Sequence, residues 1–151
     1  MKLYLVRHGD ASAAASDALR PLSARGKEEI KKVAGFLQAS GVEVKVIWHS
    51  GLLRAEQTAE IIAESLKSRV APKKSLKPDD PVVPIAEEIE KCRDDLLIAG
   101  HMPHLSYLTS QLLLNAQKRD AVEFKKGAAV CLEKNDDGRW DIKWLVTPDT
   151  V

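Results

Sequence analysis

Two histidines and two arginines in this chain stand where apolar runs give way to polar sequence, and together they suit chemistry on an anion. Arg7-His8-Gly9 follows the run Leu3-Tyr4-Leu5-Val6, Arg54 lies within the stretch from Ser50 to Ala59, and His101 belongs to Gly100-His101-Met102-Pro103. A third arginine opens Arg20-Pro21-Leu22-Ser23. Strand ends are the usual place for a site in an open α/β sheet. A phosphoryl group in transfer spreads negative charge over its equatorial oxygens, so a catalyst needs fixed cations or N–H donors and one group aligned for in-line attack. Planar guanidinium forks meet the first need, and Arg7 and Arg54 are the candidate clamps. Arg54 falls early in a helix expected after Ser50, where backbone N–H groups and the helix dipole add to its attraction for phosphate. His101 precedes another expected helix start and by the same reasoning faces the developing oxyanion.

His8 is the candidate nucleophile toward phosphorus. An imidazole with its ordinary pKa near ~6.5 is largely neutral at neutral pH, leaving one ring nitrogen free to attack while the other is held by a hydrogen bond. The Gly9 carbonyl is close enough in sequence to fix the tautomer. No separate base is then required.

The elements that must position these groups alternate along the chain. Leu3 to Val6 and Leu96 to Ala99 are continuous apolar runs of the kind found in strands buried on both faces, and Val44 to Trp48 is a further strand. Ser23 caps a helix in which Ile30, Val33, Ala34 and Leu37 recur at helical spacing up to Gly41. Ala55, Ala59, Ile62, Ala63 and Leu66 form one face of a second helix, for which Ser50 is the expected N-cap. Ile85, Ile89 and Cys92 mark a third, shorter helix beyond a Pro-rich loop spanning Pro72 to Pro84. Pro103 opens a fourth, with Leu105, Leu108, Leu112 and Tyr107 facing inward. Ala128 to Leu132 and Trp140 to Val146 form a hairpin around the turn signal Asn135-Asp136-Asp137-Gly138. This pattern predicts an α/β fold: a three-layer αβα sandwich with a mainly parallel central sheet and an antiparallel C-terminal hairpin at one edge. One domain over residues 1–151 is expected, long enough to bury roughly 70% of its unfolded surface.

Composition narrows the function classes. Lysine and arginine total 23 against 22 aspartate and glutamate, which argues against a nucleic-acid partner. No stretch approaches the ~20 apolar residues of a membrane span, and a cytoplasmic protein without membrane contact is expected. Cys92 and Cys131 lie in no metal or redox spacing and read as reduced structural thiols.

Taken in order, Leu5-Val6-Arg7-His8-Gly9-Asp10-Ala11, Arg20-Pro21-Leu22-Ser23 with Gly26, Leu53-Arg54-Ala55-Glu56-Gln57-Thr58-Ala59 and Gly100-His101-Met102-Pro103 resemble the histidine phosphatase superfamily. Within it they are most similar to the small SixA-like phosphohistidine phosphatases. The resemblance spans almost the whole chain. It implies a phosphohistidine intermediate on His8, a phosphate pocket of Arg7, Arg54 and His101, and a supporting role for Arg20. The expected enzyme is metal-independent and uses no cofactor. Larger members of the superfamily build part of their pocket from insertions ahead of the second histidine; no long insertion is present here, which suggests an open site able to admit a protein surface.

Leaving-group chemistry points the same way. An alkoxide leaving from a phosphomonoester needs a positioned proton donor, whereas a histidine side chain leaves as an imidazole of pKa ~6.5. Asp79, Asp80, Glu87 and Glu88 are the only candidates considered for such a donor, and no motif marks them. The expected substrate is therefore a phosphorylated protein, such as a histidine phosphotransfer domain. The rivals are a phosphomonoesterase or mutase acting on small phosphorylated metabolites and a non-catalytic phosphate or phosphoprotein sensor.

Other residues carry plainer readings. His49 is assigned to packing or solvent, His104 to the surface, and Asp10 either to the site or to a turn cap. Lys73, Lys74, Lys77, Lys125 and Lys126 read as solvated charges, with docking of an acidic partner as the functional alternative. Trp48, Trp140 and Trp144 read as packing.

Overall fold

The computed structural model describes residues 1–116 and 118–151. Its elements are β1 (Lys2–Arg7), a 3-10 turn (Asp17–Leu19), α1 (Ala24–Ala39), β2 (Val46–His49), α2 (Leu53–Leu66), β3 (Arg69–Pro72), α3 (Val83–Lys91), β4 (Leu96–Gly100), α4 (His104–Leu114), β5 (Ala129–Lys134) and β6 (Trp140–Val146). The six strands form one sheet in the order β3-β2-β4-β1-β5-β6. The pairings among β1 to β4 are parallel, and β5 and β6 run antiparallel.

Strand β1 explains the layering. Successive side chains of a strand point to opposite faces, and all four residues from Leu3 to Val6 are buried. Leu3 and Leu5 pack with Ile85, Ile89, Leu105 and Leu108 of α3 and α4. Tyr4 and Val6 pack with Ile30, Val33, Leu37, Ala59 and Ile62 of α1 and α2. Helices therefore cover both faces, and the three-layer αβα sandwich expected from the sequence is the one observed. The chain leaves β1 for β2, crossing β4, whereas it leaves β4 for β5, on the far side of β1. Such a divergence opens a crevice at the carboxyl ends of the two strands.

Helix α1 begins as predicted, with the Ser23 hydroxyl accepting from the Gly26 N–H at 3.0 Å. The hairpin turns where expected: the Asn135 side-chain oxygen accepts from the N–H groups of Asp137 and Arg139, both at 3.0 Å. Strand β5 runs on to Lys134, two residues further than the sequence suggested. Trp140 is buried and donates its indole N–H to Glu90 at 2.7 Å, while Trp144 packs edge-on against Phe36. Trp48 lies under the Lys73 ammonium, 4.4 Å from the ring centre. Cys92 and Cys131 are free thiols. Among the described residues no helix is long and apolar enough to cross a membrane.

One strand departs from the sequence reading. Arg69–Pro72 pairs with β2 as the sheet edge, so the stretch beginning at Pro72 is not all loop. Its four residues are partly exposed and show no clear alternation, and Pro72 ends it where no ladder N–H is needed.

Candidate active site

Register alone brings the candidate residues together. Arg7 is paired with Gly100 across β1 and β4, and His49 with Ala99 across β2 and β4. The residues that follow, His8, His101 and Ser50, therefore emerge side by side from three adjacent strand ends. His8 is anchored by its N–H to the Gly100 carbonyl at 2.9 Å. The His8 and His101 rings lie 5.1 Å apart between centres, tilted by 52°.

His8 Nδ1 is 2.7 Å from the Gly9 carbonyl, as the sequence suggested. A carbonyl can only accept, so in the neutral ring the proton sits on Nδ1 and the lone pair on Nε2. Burial pushes the His8 pKa down to about 4, and the neighbouring Arg54, Arg7 and Lys126 charges act in the same direction. His101 is also buried, with a pKa lowered to about 3 by burial first and then by His8, Arg54 and His104. Both imidazoles are neutral at pH 7.

His101 Nε2 lies 2.6 Å from the Ser50 hydroxyl. This corrects the assignment of Ser50 as the N-cap of α2. The cap position is Leu52, which makes no side-chain hydrogen bond, and Ser50 sits two residues earlier with its hydroxyl turned to His101. It is a residue of the candidate site itself.

Arg54 is 5% exposed on the first turn of α2. Its Nη1 donates to the Asp17 carbonyl at 2.9 Å and its Nη2 to the Asp17 carboxylate at 3.3 Å. Arg20 meets the other oxygen of the same carboxylate at 3.4 Å and also donates from Nε to the Ser12 carbonyl. Arg7 Nη1 donates to the Phe124 carbonyl at 2.8 Å. The Nε atoms of Arg7 and Arg54 and Nδ1 of His101 are buried without a protein partner. Buried polar atoms are seldom left so, and these three keep hydrogen-bonding capacity that no protein group uses.

Sequence reasoning missed Asp17 and Thr58. Thr58 donates to the Arg54 carbonyl at 2.7 Å and accepts from the Gly9 N–H at 3.2 Å, linking α2 to the loop that carries His8. Asp17 was legible only as an acidic residue three positions before Arg20.

Several peripheral residues have defined places. Asp10 accepts from the Ser23 hydroxyl at 2.7 Å and pairs with Lys126 at 2.9 Å, so it fastens the loop after β1 to the start of α1. Its carboxyl is held below the usual range by Ser23 first and Lys126 second. Lys126 is thus engaged rather than merely solvated. His49 Nδ1 accepts from the Gly51 N–H at 3.0 Å, a structural role in the turn before α2. His104, read from the sequence as a surface residue, is fully buried on the inner side of α4 beside Leu105.

The four candidate proton donors do not share one place: Asp79 and Asp80 line one cleft, Asp80 also lines the cleft of Ser50, and Glu87 and Glu88 lie on α3. Asp80 accepts from the Lys77 N–H at 2.9 Å and Glu88 pairs with Lys73. Asp79 borders a cleft with Pro103 and Tyr107, and Glu87 borders another with Gln111. Asp80 shares a cleft of about 530 Å³ with Ser50, and Lys73, Lys74 and Lys77 also line it. Among the described residues no three His, Cys, Asp or Glu side chains are grouped so as to hold a metal ion.

Neutral imidazoles beside one buried and one half-buried guanidinium, at the switch point of a doubly wound sheet, define a protein equipped to handle a phosphoryl group. The chain belongs to the histidine phosphatase superfamily, branch 1, whose profile matches residues 3–78. It is 28% identical over 157 residues to the phosphohistidine phosphatase SixA of Escherichia coli strain K12, covering 98% of this chain and 94% of the relative. It is 32% identical over 167 residues to an uncharacterized protein of Picosynechococcus sp., covering 97% and 99%. Its fold matches the structure of the protein histidine phosphatase SixA complexed with tungstate, with a TM-score of 0.89, 28% identity, and coverage of 99% and 98%. The chain is an enzyme, a phosphatase of the histidine phosphatase type.

Proposed function

We propose that this enzyme removes the phosphoryl group from phosphohistidine on a partner protein, by way of a phosphohistidine on His8. His8 Nε2 attacks phosphorus as the bond from phosphorus to the substrate imidazole breaks, and the departing nitrogen takes the electron pair and then a proton. Water next attacks the enzyme-bound phosphorus, the bond to Nε2 breaks, and phosphate leaves. Arg7 and Arg54 hold the equatorial oxygens through both steps, His101 faces the charge that develops, and Arg20 supports from outside. No carboxylate donor is needed for an imidazole leaving group.

The observation that carries this reading is the Gly9 carbonyl 2.7 Å from His8 Nδ1, because it leaves a neutral, aimed Nε2 beside a second neutral imidazole. The similarity to the SixA phosphohistidine phosphatase supports the substrate class. The lysine-lined cleft beginning at Ser50 supports a protein partner with acidic groups near its phosphohistidine.

The test is an alkaline quench during turnover of a phosphorylated histidine phosphotransfer domain, followed by peptide mapping. A phosphoramidate stable to base and labile to acid is expected on His8, accumulating further in His101→Ala and absent in His8→Ala. Efficient hydrolysis of small phosphomonoesters, with phosphohistidine proteins left intact, would refute the substrate assignment. Partner binding without any turnover would refute the reaction.

A further inference from the structure

Arg54 poses an electrostatic problem that a single residue answers. A guanidinium 5% exposed is costly unless paired and hydrogen-bonded. The carboxylate that pairs with it is Asp17, which is itself 66% exposed on the short turn Asp17–Leu19. That residue gives two oxygens to the outer nitrogens of Arg54, its main-chain carbonyl to Nη1 and Oδ2 to Nη2. Its remaining oxygen, Oδ1, meets Arg20. One carboxylate thus sits between two guanidiniums that would otherwise repel each other.

The way Arg54 is gripped matters for chemistry. A guanidinium has a terminal edge, made by its two outer nitrogens, and a side edge that includes Nε. Asp17 occupies the terminal edge and leaves Nε buried without a protein partner. Arg7 is held by the same logic, with Nη1 on the Phe124 carbonyl and Nε unpartnered. Both arginines are therefore fixed by protein oxygens at their tips, and in both the Nε–H is left without a protein acceptor.

We infer that Asp17 is a positioning residue for this reaction: its carboxylate sets the Arg54 fork and brings Arg20 into register with it. The inference rests on the reading of Arg54 as a phosphate clamp. Asp17 touches no reacting atom and acts only through the two arginines. Because it is exposed and lies outside the core, its role is separable from folding.

The test uses the full chain and the variants Asp17→Ala, Asp17→Asn, Arg20→Ala and Asp17→Ala with Arg20→Ala. Two quantities are measured: kcat/KM on free phosphohistidine, and inhibition by tungstate as a non-reacting oxyanion. The Asp17 carboxylate is screened by solvent, so Asp17→Ala should lower kcat/KM by a modest factor, about three- to tenfold, and weaken tungstate similarly. Both substitutions keep the main-chain carbonyl contact, but Asp17→Asn also keeps a side-chain oxygen acceptor and should lie between wild type and Asp17→Ala. If Arg20 is set through Asp17, the double variant should lose little more than Asp17→Ala alone in both kcat/KM and tungstate inhibition, whereas a merely structural role would lower the melting temperature and leave tungstate inhibition unchanged. Thermal melting reports folding, and Asp17→Asn carries the test if Asp17→Ala melts early.

Wild-type turnover and tungstate affinity in Asp17→Ala would overturn the inference and leave the proposed reaction standing. So would tighter tungstate binding, since Asp17 would then be an anion competing for Arg54. A wild-type protein that neither hydrolyses phosphohistidine nor binds tungstate would overturn the underlying reading, and the inference with it.

Discussion

His8 and His101 are neutral because the protein withholds water from them, and that has a sign that can be measured. Their folded pKa values lie near about 4 and about 3, below the ~6.5 of an exposed imidazole. As pH falls the unfolded chain therefore takes up these protons first. Their contribution to stability is complete above ~6.5 and is lost progressively as pH falls toward the folded values. Denaturant titrations at pH 7.5, 6 and 5 should show this decline, and it should shrink in a His8→Ala, His101→Ala double variant. In an NMR titration of the folded protein the two ring signals should stay unprotonated down to about pH 5. Ser50 belongs to the same scale. A typical hydrogen bond contributes about 1 kcal/mol, so Ser50→Ala should lower kcat about fivefold by loosening the His101 ring while leaving the fold intact. Unchanged kcat would mean that His101 is oriented by its surroundings alone.

The start of helix α1 is where an element rather than a side chain decides the outcome. A Cβ at Gly26 would lie 2.1 Å from the Asp10 carbonyl oxygen, and one at Gly9 would lie 2.9 Å from Ile30. The helix and the loop carrying His8 touch backbone to backbone. Gly26→Ala should thus push α1 off that loop, costing about 1–3 kcal/mol and lowering activity together with melting temperature; scanning calorimetry and turnover assays check both. Elements of this kind were legible in the sequence. Leu3 to Val6 and Leu96 to Ala99 declare themselves as buried strands by continuous apolar runs, and Ser23 and the spacing of Ile30, Val33 and Leu37 declare α1. Strand β3 was not legible, because an edge strand of four partly exposed residues carries little apolar pattern. That His8, His101 and Arg54 would stand near one another was legible from their strand-end and helix-start positions. Ser50 and Asp17 were not, since a serine before a helix commonly caps it, and an exposed aspartate reveals its purpose only when the arginine it holds is located 37 residues away. His104 escaped for a related reason, because a polar residue on an otherwise apolar helix face gives no sign that it will be enclosed.

Charge on the whole molecule is nearly balanced, at +1, yet it is not evenly spread. Lys74 and Lys77 stand exposed on the cleft that begins at Ser50, whereas Lys73 is tied to Glu88. Lysines are hydrated point charges on flexible stems, suited to steering an acidic surface rather than to clamping one phosphate. Reversing both charges, Lys74→Glu with Lys77→Glu, should lower kcat/KM on an acidic phosphoprotein about tenfold at low salt, flatten its dependence on ionic strength, and leave free phosphohistidine unaffected. Equal losses on both substrates would place the lysines in the chemistry instead. The central position of β1 governs the order in which such an enzyme can mature. The strand preceding the candidate nucleophile is synthesised before both of its neighbours, Leu96–Gly100 and Ala129–Lys134. A growing polypeptide thus exposes a reactive imidazole long before it can enclose it, and any product truncated ahead of residue 134 lacks a flanking strand. Competence arrives only once both flanking strands have been added, so fragments ending before residue 134 should be inert.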